Sequence, residues 1–158
     1  MEKKKEKEKE KIEDKVSIRD ITIIKHYRNG KLIEERKVED LVVAVGKAQI
    51  AGLVGGLATG TASYMAVGTG TTAPSSSDTA LGSEVLRVQT SNSLVTTNTT
   101  NDTLQLQGNF SFTASYAITE MGVFNASSGG TMFIRNTFGA INVVSGDTIT
   151  IISKLVFS

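Results

Sequence analysis

A β-strand is predicted for the eight residues Ile118-Thr119-Glu120-Met121-Gly122-Val123-Phe124-Asn125, which are rich in apolar and β-branched side chains. Residues 125–130 have the Asn, Ser and Gly composition of a loop, and residues 131–138 resume as a strand, so an antiparallel hairpin is predicted here. A turn at residues 145–147 precedes a final strand over 149–158. We expect these three strands to form the central sheet.

Composition excludes several kinds of site. The chain has 158 residues, which suits one domain, and it has no cysteine, which rules out disulfides and thiolate metal ligands. The single histidine, His26, rules out any His-paired cluster. The net charge of +1 gives no reason to expect nucleic acid or a membrane as a partner. We therefore predict no catalytic residues, no cofactor and no metal, and expect that the protein is not an enzyme.

The charges are distributed very unevenly. Residues 1–40 contain 13 of the 17 basic and 11 of the 16 acidic residues, whereas residues 41–158 contain nine ionic residues in 118 positions. Soluble domains usually carry about 25% charged residues. This deficit favours a body whose surface is covered by copies of itself, and the alternative is a secreted β-domain with a hydroxyl-rich surface.

The charge pattern divides the chain into three segments. Residues 1–15 alternate Lys and Glu and predict a charged arm, flexible or helical, of a composition that resembles hyperthermophile proteins; no secretory signal is recognised in it. Residues 16–40 predict a β-hairpin around Asn29-Gly30, a pair that favours a type I′ turn. We expect the hairpin to lie at an edge or to contact a neighbouring subunit, with His26 on the protein surface.

Residues 41–158 predict the body. Asp40 is expected to cap a helix that ends at Gly55-Gly56 and covers one face of the sheet; the apolar stretch is at the short limit for a membrane span. Further strands are predicted over 62–67, 85–90, 93–97 and 103–113, the last with a bulge at Gly108. The predicted fold is therefore mainly β, an antiparallel β-sandwich with one covering α-helix, an N-terminal β-hairpin and a charged N-terminal arm.

Glu120 is the most conspicuous carboxylate, because its neighbours in the strand are apolar. A buried charge needs a partner, and Arg87 or Arg135 is the candidate for a structural ion pair. A catalytic acid would need a second tuned group nearby, and none is recognisable. The candidates for structural or assembly roles are Asn29, Gly30, Asp40, Arg87, Glu120 and Arg135.

Four segments in order carry a resemblance to a known family. Residues 40–48, 65–73 and 78–84, followed by Ile118-Thr119-Glu120-Met121-Gly122-Val123-Phe124, resemble small structural proteins of tailed-virus particles, the tail-fibre and tail-collar proteins. The resemblance covers residues 18–158 and implies a β-sandwich that is a repeated part of a particle. It further implies a homo-oligomer, a trimer or higher, with other virion proteins as partners, and it assigns no catalytic residue.

Three functions follow as hypotheses. The first is a self-assembling structural subunit of a virus particle, in the tail fibre, collar, baseplate or capsid decoration. The second is a subunit of an extracellular filament of a thermophilic cell, in which N-terminal strands would complete a neighbour's sheet. The third is a receptor- or glycan-binding fibre module, which the 6% aromatic content and the absence of tryptophan disfavour.

Overall fold

The computed structural model describes residues 15–158, so the predicted arm of residues 1–15 lies almost wholly outside the described residues. As predicted, the fold is mainly β with one helix and an N-terminal hairpin. The elements are β1 Ile18–Arg28, β2 Lys31–Val42, α1 Ala44–Val54, β3 Tyr64–Gly68, β4 Glu84–Gln89, β5 Ser91–Val95, β6 Thr103–Ser111, β7 Tyr116–Phe124, β8 Met132–Val143 and β9 Thr148–Phe157.

The nine strands form one antiparallel, nearly closed sheet in the order β4-β3-β7-β8-β2-β1-β9-β6-β5. One layer consists of β4, β3, β7 and β8, and the other consists of β2, β1, β9, β6 and β5. Met65 and Met121 of the first layer and Ile24 and Phe110 of the second belong to one buried cluster. Apolar side chains from both layers thus meet in a single core, as in a sandwich.

The N-terminal hairpin forms around the predicted turn. Asn29 and Gly30 have φ values of 49° and 72°, as a type I′ turn requires. β1 then lies between β2 and β9, and it pairs with β9 from Ile18 to Tyr27. The hairpin therefore belongs to the same sheet as the body, and it is β2 that has a partly unpaired edge.

The predicted three-stranded central sheet is only partly present. β7 and β8 form the hairpin, with Gly129 and Gly130 at positive φ in its loop. β9 does not continue that meander, because it crosses to the other layer and pairs with β1 and β6. The prediction of three adjacent strands was wrong because local turns fix only the β7–β8 pairing, whereas the position of β9 is set by the distant β1.

The inner face of β1 is the more polar one. Asp20, Thr22 and His26 are buried beside Ile24, whereas the alternate residues are only half-buried. His26 is 3% exposed, so its predicted position at the surface was wrong. Alternation along β1 determines this result, since His26 lies two residues from Ile24 and faces the same way.

Helix α1 begins four residues later than Asp40. Val43 is its N-cap, and Asp40 lies in β2 opposite Asp20. The predicted capping role of Asp40 was therefore wrong, because β2 continues to Val42 to pair with β8. Gly55 ends the helix as predicted, and within residues 15–158 no helix has the length and apolar character of a membrane span.

β6 pairs with β9 without interruption, so the predicted bulge at Gly108 is absent. Gly108 instead faces the core, where an added Cβ would lie 3.1 Å from the Met65 sulfur. A glycine in a strand can mark a close approach as well as a bulge. Here it makes room for Met65.

Candidate functional site

The Glu120 carboxylate is the centre of a buried polar cluster, which we call the Glu120 cluster. Glu120 is 0% exposed on β7 and faces the loop that joins β3 to β4. Its two oxygens accept hydrogen bonds from the backbone N–H groups of Gly70 at 2.9 Å, Gly82 at 2.9 Å and Ser83 at 2.7 Å. Both ends of the loop are thereby attached to one side chain.

Arg135 completes the Glu120 cluster from β8. Its Nη2 donates to Glu120 Oε2 at 2.9 Å, and its Nη1 donates to Asp78 Oδ2 at 2.8 Å. Nη2 also donates to the carbonyl oxygen of Thr72 at 3.1 Å. Of the two arginines predicted as partners, Arg135 is the one that pairs with Glu120, and it also contacts the middle of the loop.

Close packing around Glu120 explains the glycines of the loop. A Cβ on Gly70 would lie 2.5 Å from Glu120 Oε1, and a Cβ on Gly68 would lie 2.3 Å from the carbonyl oxygen of Ser83. Side chains at these positions would displace the carboxylate or the backbone. The glycine-rich sequence after β3 is therefore required for the loop to close over Glu120.

The environment of Glu120 favours its ionised form. Burial alone would raise its pKa, but the N–H groups of Ser83 and Gly82 and the Arg135 guanidinium outweigh burial and hold the pKa below the usual value. An acid catalyst needs the opposite, a pKa raised towards the working pH. The geometry suits an anchor for the loop.

Arg87 has different partners. It donates to both oxygens of Glu84, at 2.6 Å and 2.9 Å, and to the carbonyl oxygens of Ala126 and Gly129. Its guanidinium carbon lies 3.8 Å from the centre of the Phe124 ring. Arg87 therefore joins β4 to the β7–β8 loop and has no contact with Glu120 among the described hydrogen bonds.

A second buried cluster lies near the tip of the hairpin. Asp147 Oδ2 is 2.8 Å from His26 Nε2 and 2.7 Å from Arg28 Nη2, and it accepts the N–H of Val144 at 3.1 Å. The hydrogen bond from Arg28 is the main reason that the pKa of Asp147 lies well below its usual range. The sequence indicated Asp147 only as a turn residue, because its side-chain partners His26 and Arg28 are more than a hundred residues away.

The third cluster is a pair of acids, the buried Asp20 and the half-buried Asp40, which face each other on β1 and β2. Thr22 Oγ1 lies 2.9 Å from Asp20 Oδ1 and 2.5 Å from Asp40 Oδ2. Ser153 donates to Asp20 at 2.7 Å and Asn136 donates to Asp40 at 2.5 Å. Burial raises the pKa of Asp20, and burial together with the charge of Asp20 raises that of Asp40.

Two concave surfaces flank these clusters. The first is a cleft of about 600 Å³ between β2 and β8, lined by Arg36, Val38, Glu39, Asn136 and Phe138 among others. The second is an apolar cavity of about 370 Å³ lined mainly by hydrophobic side chains of α1, β6, β8 and β9.

One strongly exposed hydrophobic residue lines the apolar cavity, and two others are neighbours of lining residues in the chain or across a strand pair. Val54, 87% exposed, lines it, and Leu57, 90% exposed, follows the end of α1. Leu94, 62% exposed, is paired across β5 and β6 with Leu104, which also lines the cavity. We call Val54, Leu57 and Leu94 the apolar patch. Exposed hydrophobic residues grouped in this way are typical of interaction surfaces.

Asn29 and Gly30 are exposed at the hairpin tip and contribute a turn, so the six residues singled out from the sequence do not converge on one site. Glu120 and Arg135 belong to one cluster, and Asp40 belongs to another.

Within residues 15–158 no group of three or more His, Cys, Asp or Glu side chains is arranged to hold a metal ion. No protein-family model, no curated protein and no solved structure matches the chain.

Proposed function

We propose that this protein is a structural subunit of a virus particle that assembles with copies of itself. The observation that carries the proposal is the scarcity of ionic groups in residues 41–158, which have nine in 118 positions. Surfaces that stay solvated in a monomer usually carry many charges of both signs. A body without them is better suited to contact with other subunits.

The internal use of the few charged groups strengthens this argument. Arg135 is 3% exposed and is neutralised by Glu120 and Asp78, and Arg87 is 8% exposed and pairs with Glu84. Among residues 41–158, only Lys47, Asp102 and Lys154 have no ionic partner within the described part of the chain, and Asp102 accepts hydrogen bonds from the backbone of its own turn. Most of the body's ionic residues thus stabilise loops, and few of them charge the surface.

The apolar patch is the surface that best fits a subunit contact. Val54 and Leu57 project from the end of α1 next to an apolar cavity, so the same region offers both a projection and a recess. A projection beside a recess lets one copy fit into the next, and such contacts build closed rings when the rotation between subunits closes. The resemblance to tail-fibre and tail-collar proteins agrees with a homo-oligomer, a trimer or higher, in contact with other virion proteins.

Molar mass measured by light scattering across a wide concentration range tests the proposal. We expect the full chain to form a defined oligomer, and a monomer at every concentration would contradict the proposal. The double variant Val54→Ser/Leu57→Ser should shift the mass towards smaller species. Leu32→Ser, which removes a 48% exposed leucine in the hairpin, is the matched control and should leave the mass unchanged.

A second candidate function, a subunit of an extracellular filament, is favoured by the edge of β2. Only Leu41 and Val42 of its twelve residues pair with β8, so most of that edge has backbone groups available to a strand from a neighbour. Electron microscopy separates the two candidates. Closed particles or short fibres favour the virion subunit, whereas open filaments that lengthen with concentration favour the filament.

A further inference from the structure

The sheet has an incomplete junction between β2 and β8, which we call the seam. The two strands pair at only two positions, Leu41 with Arg135 and Val42 with Ile134. Beyond this point they separate, and the cleft of about 600 Å³ lies between residues 36–39 and 136–139. Arg36 crosses the cleft with its side chain and donates to the carbonyl oxygens of Gly139 and Ala140. The rest of the seam has no backbone pairing between residues 31–40 and β8.

The Asp20–Asp40 pair lies where the closed part of the seam begins. Asp40 immediately precedes the paired residue Leu41, and its Oδ1 accepts a hydrogen bond of 2.5 Å from Asn136 of β8. Its other oxygen contacts Thr22 of β1. Asp40 is therefore the side chain that connects β1, β2 and β8 at this position, and a change in its charge acts on all three strands.

The hydrogen-bond geometry requires a proton on the pair. The Thr22 hydroxyl lies within hydrogen-bond distance of both carboxyl groups but has a single hydrogen to donate. If it donates to one carboxylate, the other carboxyl must itself carry a proton and donate to Thr22. The remaining partners, Ser153 and Asn136, donate to the carboxyl groups but carry no positive charge that could balance a second ionised carboxylate.

We propose that the Asp20–Asp40 pair is a proton-dependent latch that holds the seam closed in acid and releases it when both carboxyl groups ionise.

Among the described residues 15–158, no cation is placed to neutralise the ionised pair. On the inner face of β1 the nearest titratable group is His26, which is bonded to Asp147. On β2, Arg36 pairs with Glu34 and with the carbonyls across the cleft. The groups that face the pair from β8 and β9 are the neutral Asn136 and Ser153. Within residues 15–158, two adjacent negative charges would thus repel each other without a counterion.

The direction of the pH dependence follows from the pKa values. Both carboxyl groups have their pKa raised on folding, chiefly by burial. The stabilisation that they give is therefore complete below the ordinary Asp pKa of about 4, and it is lost as the pH rises through the raised values. We expect the seam to loosen on the neutral side of that range.

The test combines thermal unfolding with hydrogen exchange of the full chain between pH 4 and 8. While one proton is being lost, the wild-type Tm should fall by roughly 3–5 °C per pH unit. Exchange, corrected for its intrinsic pH dependence, should increase in residues 36–42 and 134–140 before it increases in β6 and β9. Asp40→Asn replaces one carboxyl group by a neutral amide that can donate to Thr22, so the Tm and the exchange of this variant should vary much less with pH.

Two further variants make the result specific. Asp20→Asn, the second neutral replacement, should reduce the pH dependence in the same way, so the test does not depend on one variant folding. Glu35→Gln removes an exposed carboxylate of the same hairpin and should behave as the wild type does. A wild-type Tm that does not fall with pH, or a fall that Asp40→Asn and Asp20→Asn both retain in full, would overturn the latch.

Discussion

The Glu120 cluster gives the sharpest prediction, which is the effect of replacing Arg135 with methionine. Methionine matches the length of the arginine stem but leaves the Glu120 carboxylate buried without a cation. Asp78 and the carbonyl of Thr72 lose their partner as well. Three attachments of the β3–β4 loop are weakened by one substitution.

The loss in the free energy of unfolding follows from how deeply this ion pair is buried. Glu120 and the Arg135 side chain are 0% and 3% exposed, so the substitution removes one partner of a buried ion pair. Such a change costs about 3–5 kcal/mol. For a chain of this size the Tm should fall by roughly 6–20 °C. The three N–H groups that still bond Glu120 place the expected value towards the lower end.

Chemical denaturation and calorimetry of Arg135→Met measure this loss. Lys47→Met is the matched control, because it removes one positive charge from an exposed position of α1 and should change stability by less than about 0.5 kcal/mol. The double variant Glu120→Gln/Arg135→Met should be more stable than the sum of the single changes, with a coupling of about 0.5–3 kcal/mol. If Arg135→Met is no more damaging than Lys47→Met, the loop is not held by this ion pair.

Three further predictions concern positions described above. Gly30→Ala should cost about 1–2 kcal/mol of stability in a denaturant titration, because φ is +72° at this residue. No atom lies within 4 Å of the added Cβ, so the loss comes from backbone conformation alone. An unchanged stability would contradict the type I′ turn. Gly46→Ala should lower the Tm although alanine favours helices, because the added Cβ would lie 2.4 Å from the Phe133 carbonyl oxygen. The control Ala48→Gly, at an exposed position of the same helix, should cost only about 1 kcal/mol. A Gly46→Ala protein as stable as the wild type would refute the contact. The pKa of Asp147 is lowered on folding, so its contribution to stability is present above the ordinary Asp pKa of about 4 and is lost as the pH falls below it. Asp147→Asn should therefore remove part of the decrease in Tm at acid pH. A variant whose Tm decreases in acid as much as that of the wild type would contradict the assignment.

Local patterns in the sequence predicted the individual elements well. The Asn29-Gly30 turn, the end of α1 at Gly55 and the β7–β8 hairpin depend on neighbouring residues, and all three are present. Glu120 was identified from its apolar neighbours alone. The choice between Arg87 and Arg135 could not be made, because it depends on which strand lies beside β7.

Asp20 and Asp40 show why other parts of the fold could not be derived from the sequence. A regular hairpin around Asn29-Gly30 would place Asp20 opposite Glu39, but an irregularity between His26 and Tyr27 shifts the register by one residue and places it opposite Asp40. A shift of one residue reverses which side chains face the core. No feature of the sequence marked that irregularity, so the pairing of Asp20 with Asp40 was not predicted.

The pairing of β1 with β9 has a consequence for how the chain is made. The first and last strands of the described chain are neighbours, with Ile18 opposite Phe157. During synthesis β1 leaves the ribosome long before β9 is made, so the second layer cannot be completed until residues 148–157 have emerged. Contacts between such distant parts of a chain slow folding. We expect a chain that stops before residue 148 to leave β1 and β6 without the strand that lies between them.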